Sequence, residues 1–119
     1  MKTKVIAFLQ KQIGYYDNRL KQLIELLTEI SATHYVTQNS EKLVDCEIRL
    51  NYYRNLLDNV QSLDDDGVNH CLINRIIMLE NHLLQEFIPM NTSNPMKNLI
   101  AIWENEISKR ILKELKSLV

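Results

Sequence analysis

Between residues 6 and 30 the apolar positions fall at Ile6, Leu9, Ile13, Tyr16, Leu20, Leu23, Leu27 and Ile30, in alternating steps of three and four. Those steps place the side chains along one stripe of an α-helix, whereas a strand would need a period of two. A mean spacing of three and a half is the seam that helices use to pack on one another. The rhythm returns further on. Leu43, Cys46, Leu50, Tyr53, Leu57 and Val60 make a second stripe, and Met96, Ile100, Trp103, Ile107, Ile111, Leu115 and Leu118 make the last. The last contains consecutive steps of four, so that helix is straighter than a strict heptad. Between them Val68, Leu72, Ile73, Ile76, Ile77, Leu79, Leu83, Leu84, Phe87 and Ile88 cover an arc of about 200° at 100° per residue. A helix with so broad an apolar surface is either the most enclosed of its bundle or meets a partner chain.

The chain has only two Gly and two Pro, so the helix limits must be read mainly from capping chemistry. The stretch "VTQNS" (36–40) predicts a break after a first helix over about 4–35. Ser40 would cap a second helix (40–63), with Glu41 at the positive end of its dipole. The "DDDG" stretch (64–67) predicts a turn, with Asp66 capping a third helix over 67–88 that Pro89 ends. Asn94 caps a fourth helix (95–118), with Pro95 at the first helical position, where its missing N–H costs nothing. Four helices with short connections predict an all-α, antiparallel up-down four-helix bundle in a single domain over 1–119. The runner-up is a pair of helical hairpins that completes its core as a dimer.

Several functions are disfavoured by what these helices carry. The net charge is −1, so no global field draws the chain to nucleic acid or to an anionic membrane. No apolar run approaches the ~18–20 residues that span a bilayer. The opening "MKTKVIAFLQKQIGYYDNRL" turns amphipathic without a small-residue cleavage site, which argues against a signal peptide and for the cytoplasm. Cys46 sits on a seam, and Cys71 lies within a turn of the 64–67 loop. At ~1.5 Å rise per residue Cys46 is roughly 25 Å from that loop, so both thiols are expected reduced. His34, His70 and His82 are dispersed along the bundle, and His34 reads as a partly buried end of the first seam. No His/Cys/Glu spacing suits zinc or di-iron, and consecutive Asp residues do not make a calcium loop. No Gly-rich phosphate loop or nucleophile elbow is present either, so no metal or cofactor is expected. In the up-down arrangement Lys2, Lys4, the Asp64–Asp66 run and the basic tail "KRILKELK" share one end, where exposed charges compensate one another.

The stretch "NRIIMLENH" (74–82) sets Arg75 and His82 with six residues between them, and Asn74 before the Arg. This resembles the Arg-x4–6-His pattern of the HEPN ribonucleases, an all-helical and often dimeric family of about this length. The resemblance covers nine residues. It implies that Arg75 stabilises charge on an RNA phosphate while His82 acts as general acid or base. On the helical wheel the two lie about 20° apart and roughly 10 Å apart along the axis. Asn81, Gln85 and Glu86 share that face, as they would on an ordinary solvated surface, and that plainer reading is the one carried forward.

The sequence is therefore read as a non-enzymatic protein–protein interaction module: an adaptor, inhibitor, immunity-type or regulatory protein whose partner is another protein. A homodimer through the third helix is a further option, since exposed apolar strips seek cover. Tyr15 and Tyr52 flank the seams, and with Met78, Lys109, Arg110 and Lys113 they are the candidate binding residues. The basic fourth helix gives a second alternative, nucleic-acid binding, but it lacks interleaved aromatics for base stacking. The Ile-, Asn- and Lys-rich usage is that of an AT-rich genome, as in many bacteria and mobile elements.

Overall fold

A computed structural model describes residues 1–84 and 94–119. It is an all-α four-helix bundle of α1 (Lys2–Leu26), α2 (Ala32–Val60), α3 (Asp65–Leu84) and α4 (Pro95–Lys116). The first boundary departs from the sequence expectation. Ser31, not Ser40, caps the second helix: its hydroxyl accepts from the His34 amide at 3.3 Å. Ile30 and Tyr35 then occupy the two positions of a hydrophobic staple. The Tyr35 hydroxyl donates to the Leu23 carbonyl at 2.6 Å, which ties the new helix to the last turns of the old one. "VTQNS" is ordinary helix, and the Ser40 hydroxyl donates back to the Val36 carbonyl at 2.5 Å. His34, expected to be partly buried at the end of the first seam, is exposed in the first turn of α2.

The second boundary moves by less. Asp64, rather than Asp66, caps α3: its carboxylate accepts from the Gly67 amide at 2.8 Å, and its carbonyl from the Val68 amide at 2.9 Å. Asp65 and Asp66 fall in the first turn, where the helix dipole favours anions. Asp65 also accepts from the Lys2 amide at 2.9 Å, while the Lys2 ammonium donates to the Gln61 carbonyl at 2.9 Å. The acidic turn thus satisfies a backbone amide at the start of α1 as well as its own helix, while Lys2 covers the carbonyl at the end of α2. The fourth boundary is as expected, with the Asn94 side chain accepting from the Met96 and Lys97 amides at 3.1 and 3.3 Å. The predicted end of the third helix at Ile88 and Pro89 lies outside the described residues.

Contacts fix how the helices sit. Leu23, Tyr16 and Phe8 of α1 meet Tyr35, Arg49 and Tyr53 of α2, so positions fall along one helix as they rise along the other. Between α2 and α4 they rise together: Val36 shares a groove with Met96, and Arg49 bonds Glu114.

The core is one-ended. Its main cluster is made by Val5 and Leu9 of α1, Tyr53, Leu56 and Val60 of α2, Val68 and Leu72 of α3, Ile107, Ile111 and Leu115 of α4, and Leu118 just beyond it. At the other end α1 and α2 stay closed through Leu23, Tyr35 and Asn39. In α3 no residue from Ile73 to Leu83 is buried, and in α4 none from Pro95 to Glu106. The broad apolar arc of the third helix is therefore not a sign of enclosure. The Cα radius of gyration, 16.4 Å, exceeds the roughly 13–14 Å of a compact chain this long.

Both cysteines are free. Cys46 is fully buried, and burial pushes its thiol up, with Asp45 adding to the rise and Arg19 and Arg49 opposing it. Cys71 is half-buried. A disulfide reagent in excess is expected to modify Cys71 in the native protein and Cys46 only after unfolding. Equal rates for the two thiols would contradict this placement.

Candidate functional site

Along α2 the seam residues Cys46, Leu50 and Tyr53 place Arg49 one step to the side of the stripe, still inside the bundle. Its side chain is only 5% exposed. The guanidinium donates from Nε to Asp45 at 2.7 Å, one helical turn back, and from Nη1 to Glu114 of α4 at 2.6 Å. The Tyr53 hydroxyl donates to the other Glu114 oxygen. The cation also lies 4.9 Å from the centroid of the Tyr16 ring, within cation–π range. Burial opposes the Arg49 charge, but the bonds to Glu114 and Asp45 outweigh it and hold the guanidinium above its ordinary range. Burial likewise raises the Tyr16 hydroxyl, against the pull of Arg49. The network joins three helices around a side chain that stays charged at any physiological pH. Its chemistry is that of a fixed cation rather than of a proton carrier.

Two depressions open along the junction of α2 and α4. One, about 270 Å³, lies at the loosely packed end and is lined by Val36 and Glu41 of α2 and Met96, Leu99 and Trp103 of α4. The other, about 400 Å³, lies beside the network and is lined by Arg49, Arg110, Lys113, Glu114 and Ser117. The groove is mainly apolar and the cleft mainly basic. On α4 residues 104–109 lie between them.

The expected site residues scatter over this frame. Tyr15 is exposed and packs edge-on to Tyr16 at 4.9 Å. Tyr52 is half-buried: the Arg75 guanidinium covers it at 5.5 Å, and its hydroxyl is pushed up by burial against the pull of Arg75. Met78 is 65% exposed. Lys109 pairs with Glu106 at 3.2 Å. Arg110 and Lys113 are brought together in the cleft. Arg75 also donates to Asn55 at 2.6 Å, so its guanidinium is engaged with α2, while His82 is exposed. The tail of α4 does not pair with the acidic turn: Lys116 bonds Glu80 at 3.0 Å. The residues that sequence reasoning missed are Arg49, Asp45 and Glu114. The i, i+4 spacing of Asp45 and Arg49 was the available signal.

Among the described residues no group of three or more His, Cys, Asp or Glu side chains could hold a metal ion, and no helix is long and apolar enough to cross a membrane. The chain matches no protein-family model, and no curated protein sequence or solved structure matches it significantly.

Proposed function

We propose that this chain is a non-enzymatic, cytoplasmic protein-binding module. Its topology is read as up-down-up-down, and its docking face as the loosely packed end of the bundle. The observation that carries the reading is the run of unburied apolar side chains on α3 and α4. Ile77, Met78, Met96, Leu99 and Ile102 are all exposed although each lies in a helix of a bundle. Met96 and Leu99 among them share one groove, and exposed apolar area gathered in this way marks interaction surfaces rather than ordinary solvated faces. The groove beside Val36, Met96, Leu99 and Trp103 suits an apolar helix face of a protein partner, which would enter as i, i+3 and i+4 anchors. A second copy of the chain is the simplest such partner, and self-association is part of the test.

The decisive experiment compares wild type with Leu99→Glu, Arg75→Ala and His82→Ala. Sedimentation reads self-association, and affinity capture from source cells reads bound protein and RNA. Leu99→Glu is expected to lose the partner or the dimer without loss of fold, because Leu99 is already 40% exposed. The two alanine variants are expected to bind as wild type does. RNA cleavage that disappears in His82→Ala would instead support the ribonuclease reading. The engagement of Arg75 with Asn55 and Tyr52 weighs against it, since that guanidinium would have to leave both to meet a phosphate.

A further inference from the structure

The basic residues of α4 divide into two kinds. Lys109 and Lys116 are neutralised by Glu106 and Glu80. Arg110 and Lys113 make no ion pair or hydrogen bond with any described residue. These two, three positions apart and so on one side of the helix, both line the 400 Å³ cleft. Behind them stands Arg49. Its Nε and Nη1 are taken by Asp45 and Glu114, but Nη2 makes no hydrogen bond with any described residue. Since every buried side-chain nitrogen and oxygen among the described residues has a partner, Nη2 keeps some access to solvent, and Arg49 is one of the residues that line the cleft.

We propose that this cleft is a binding site for the phosphate group of a small molecule. Three cations line it against one carboxylate, Glu114, whose two oxygens are spent on Arg49 and Tyr53. Arg49 is already compensated by Asp45 and Glu114, so the cations left for a ligand are Arg110 and Lys113, two charges that can both engage a phosphate dianion, whereas a single carboxylate would engage one. Arg49 is held in place by two carboxylates and an aromatic ring, so its free nitrogen is presented without further loss of side-chain entropy. The Ser117 hydroxyl donates to the Glu114 carbonyl at 2.6 Å, so recognition falls on the cations. The nearby C-terminal end of α4 disfavours an anion. That effect is confined to the last turn and explains the presence of Lys113, but not the convergence of Arg49 and Arg110. The volume lies within the roughly 300–1,000 Å³ of small-molecule pockets. The site does not depend on the docking groove and can fail without it.

The test is titration of inorganic pyrophosphate into the full chain, followed by amide shifts and by the Arg49 Nε–H resonance. The expected result is saturable change confined to Arg49 and to 110–117. The exposed-site double variant Arg110→Gln/Lys113→Gln is expected to weaken binding at least about tenfold, the order of effect of losing charge-assisted bonds, with an unchanged melting temperature. Absence of saturation, equal binding by the double variant, or a response spread equally over Arg19 and Lys42, which line a separate depression between α1 and α2, would overturn the proposal. In a second arm a ten-nucleotide single-stranded RNA is titrated over a salt series. RNA affinity well above that of pyrophosphate, with shifts running beyond the cleft and a steep salt slope, would overturn the small-molecule assignment in favour of a nucleic-acid surface.

Discussion

Replacing Arg49 by Ala is expected to lower the unfolding free energy by about 3 kcal/mol, the lower end of the cost of breaking a buried ion pair from one side. The lower end applies because the abandoned side chains, Asp45 and Glu114, are 23% and 29% exposed and can turn toward water. Part of the loss is packing, since the guanidinium covers the Tyr16 ring. Arg49→Lys should recover little of it. An ammonium is a point charge that cannot span Asp45 and Glu114 in a fixed fork, and it stacks poorly on an aromatic face. Urea unfolding of the single variants and of Arg49→Ala/Glu114→Ala gives the coupling, expected at about 1–2 kcal/mol for residues in one network. A loss below about 0.5 kcal/mol for Arg49→Ala would place the residue on a solvated surface instead.

The second large effect concerns two positions five residues apart on α3. Leu72→Ala is expected to cost about 3–5 kcal/mol, because the side chain is fully buried and its removal leaves a cavity in the main cluster. Ile77→Ala should cost less than about 0.5 kcal/mol in the isolated protein, because Ile77 is 48% exposed. The same pair measured at rising protein concentration separates the two ends of the helix further. If the loose end is covered by a second copy, the Ile77→Ala penalty should grow with concentration while the Leu72→Ala penalty stays fixed. Equal costs at the two positions would remove the one-ended core.

The helical class and its seams were legible because periodicity is a local property. Cys46, Leu50, Tyr53 and Val60 of the second stripe are buried, as are Ile107, Ile111, Leu115 and Leu118 of the last. The Asn94–Pro95 cap was legible for the same reason, since its donors and acceptor lie within three residues. The break between α1 and α2 was not. The stripe runs unbroken through Leu27 and Ile30, and Ser31 competes with the more polar "TQNS" as a cap. What decides for Ser31 is tertiary: the tie from Tyr35 back to Leu23. The Arg49 network was hidden because its second carboxylate lies 65 positions away. Apolar patterning also cannot tell which stretch of a stripe is covered. Met96 and Ile111 fit one rhythm, yet the first is exposed and the second buried.

The placement of the main cluster also sets an order of events for a chain leaving the ribosome. Val5 and Leu9 are made well before Ile107, Ile111, Leu115 and Leu118, which complete the same cluster. The α1–α2 hairpin can form first from near-neighbour contacts such as that of Tyr35 with Leu23, as local pairings are the quickest to close. Its remaining apolar face must then wait for α4. Throughout synthesis the nascent hairpin presents Leu56 and Val60 with no permanent cover, and such transiently open surface is where aggregation and chaperone capture act. Completion of this fold is thus a late and nearly single step, gated by the synthesis of α4 and not by the helices that precede it.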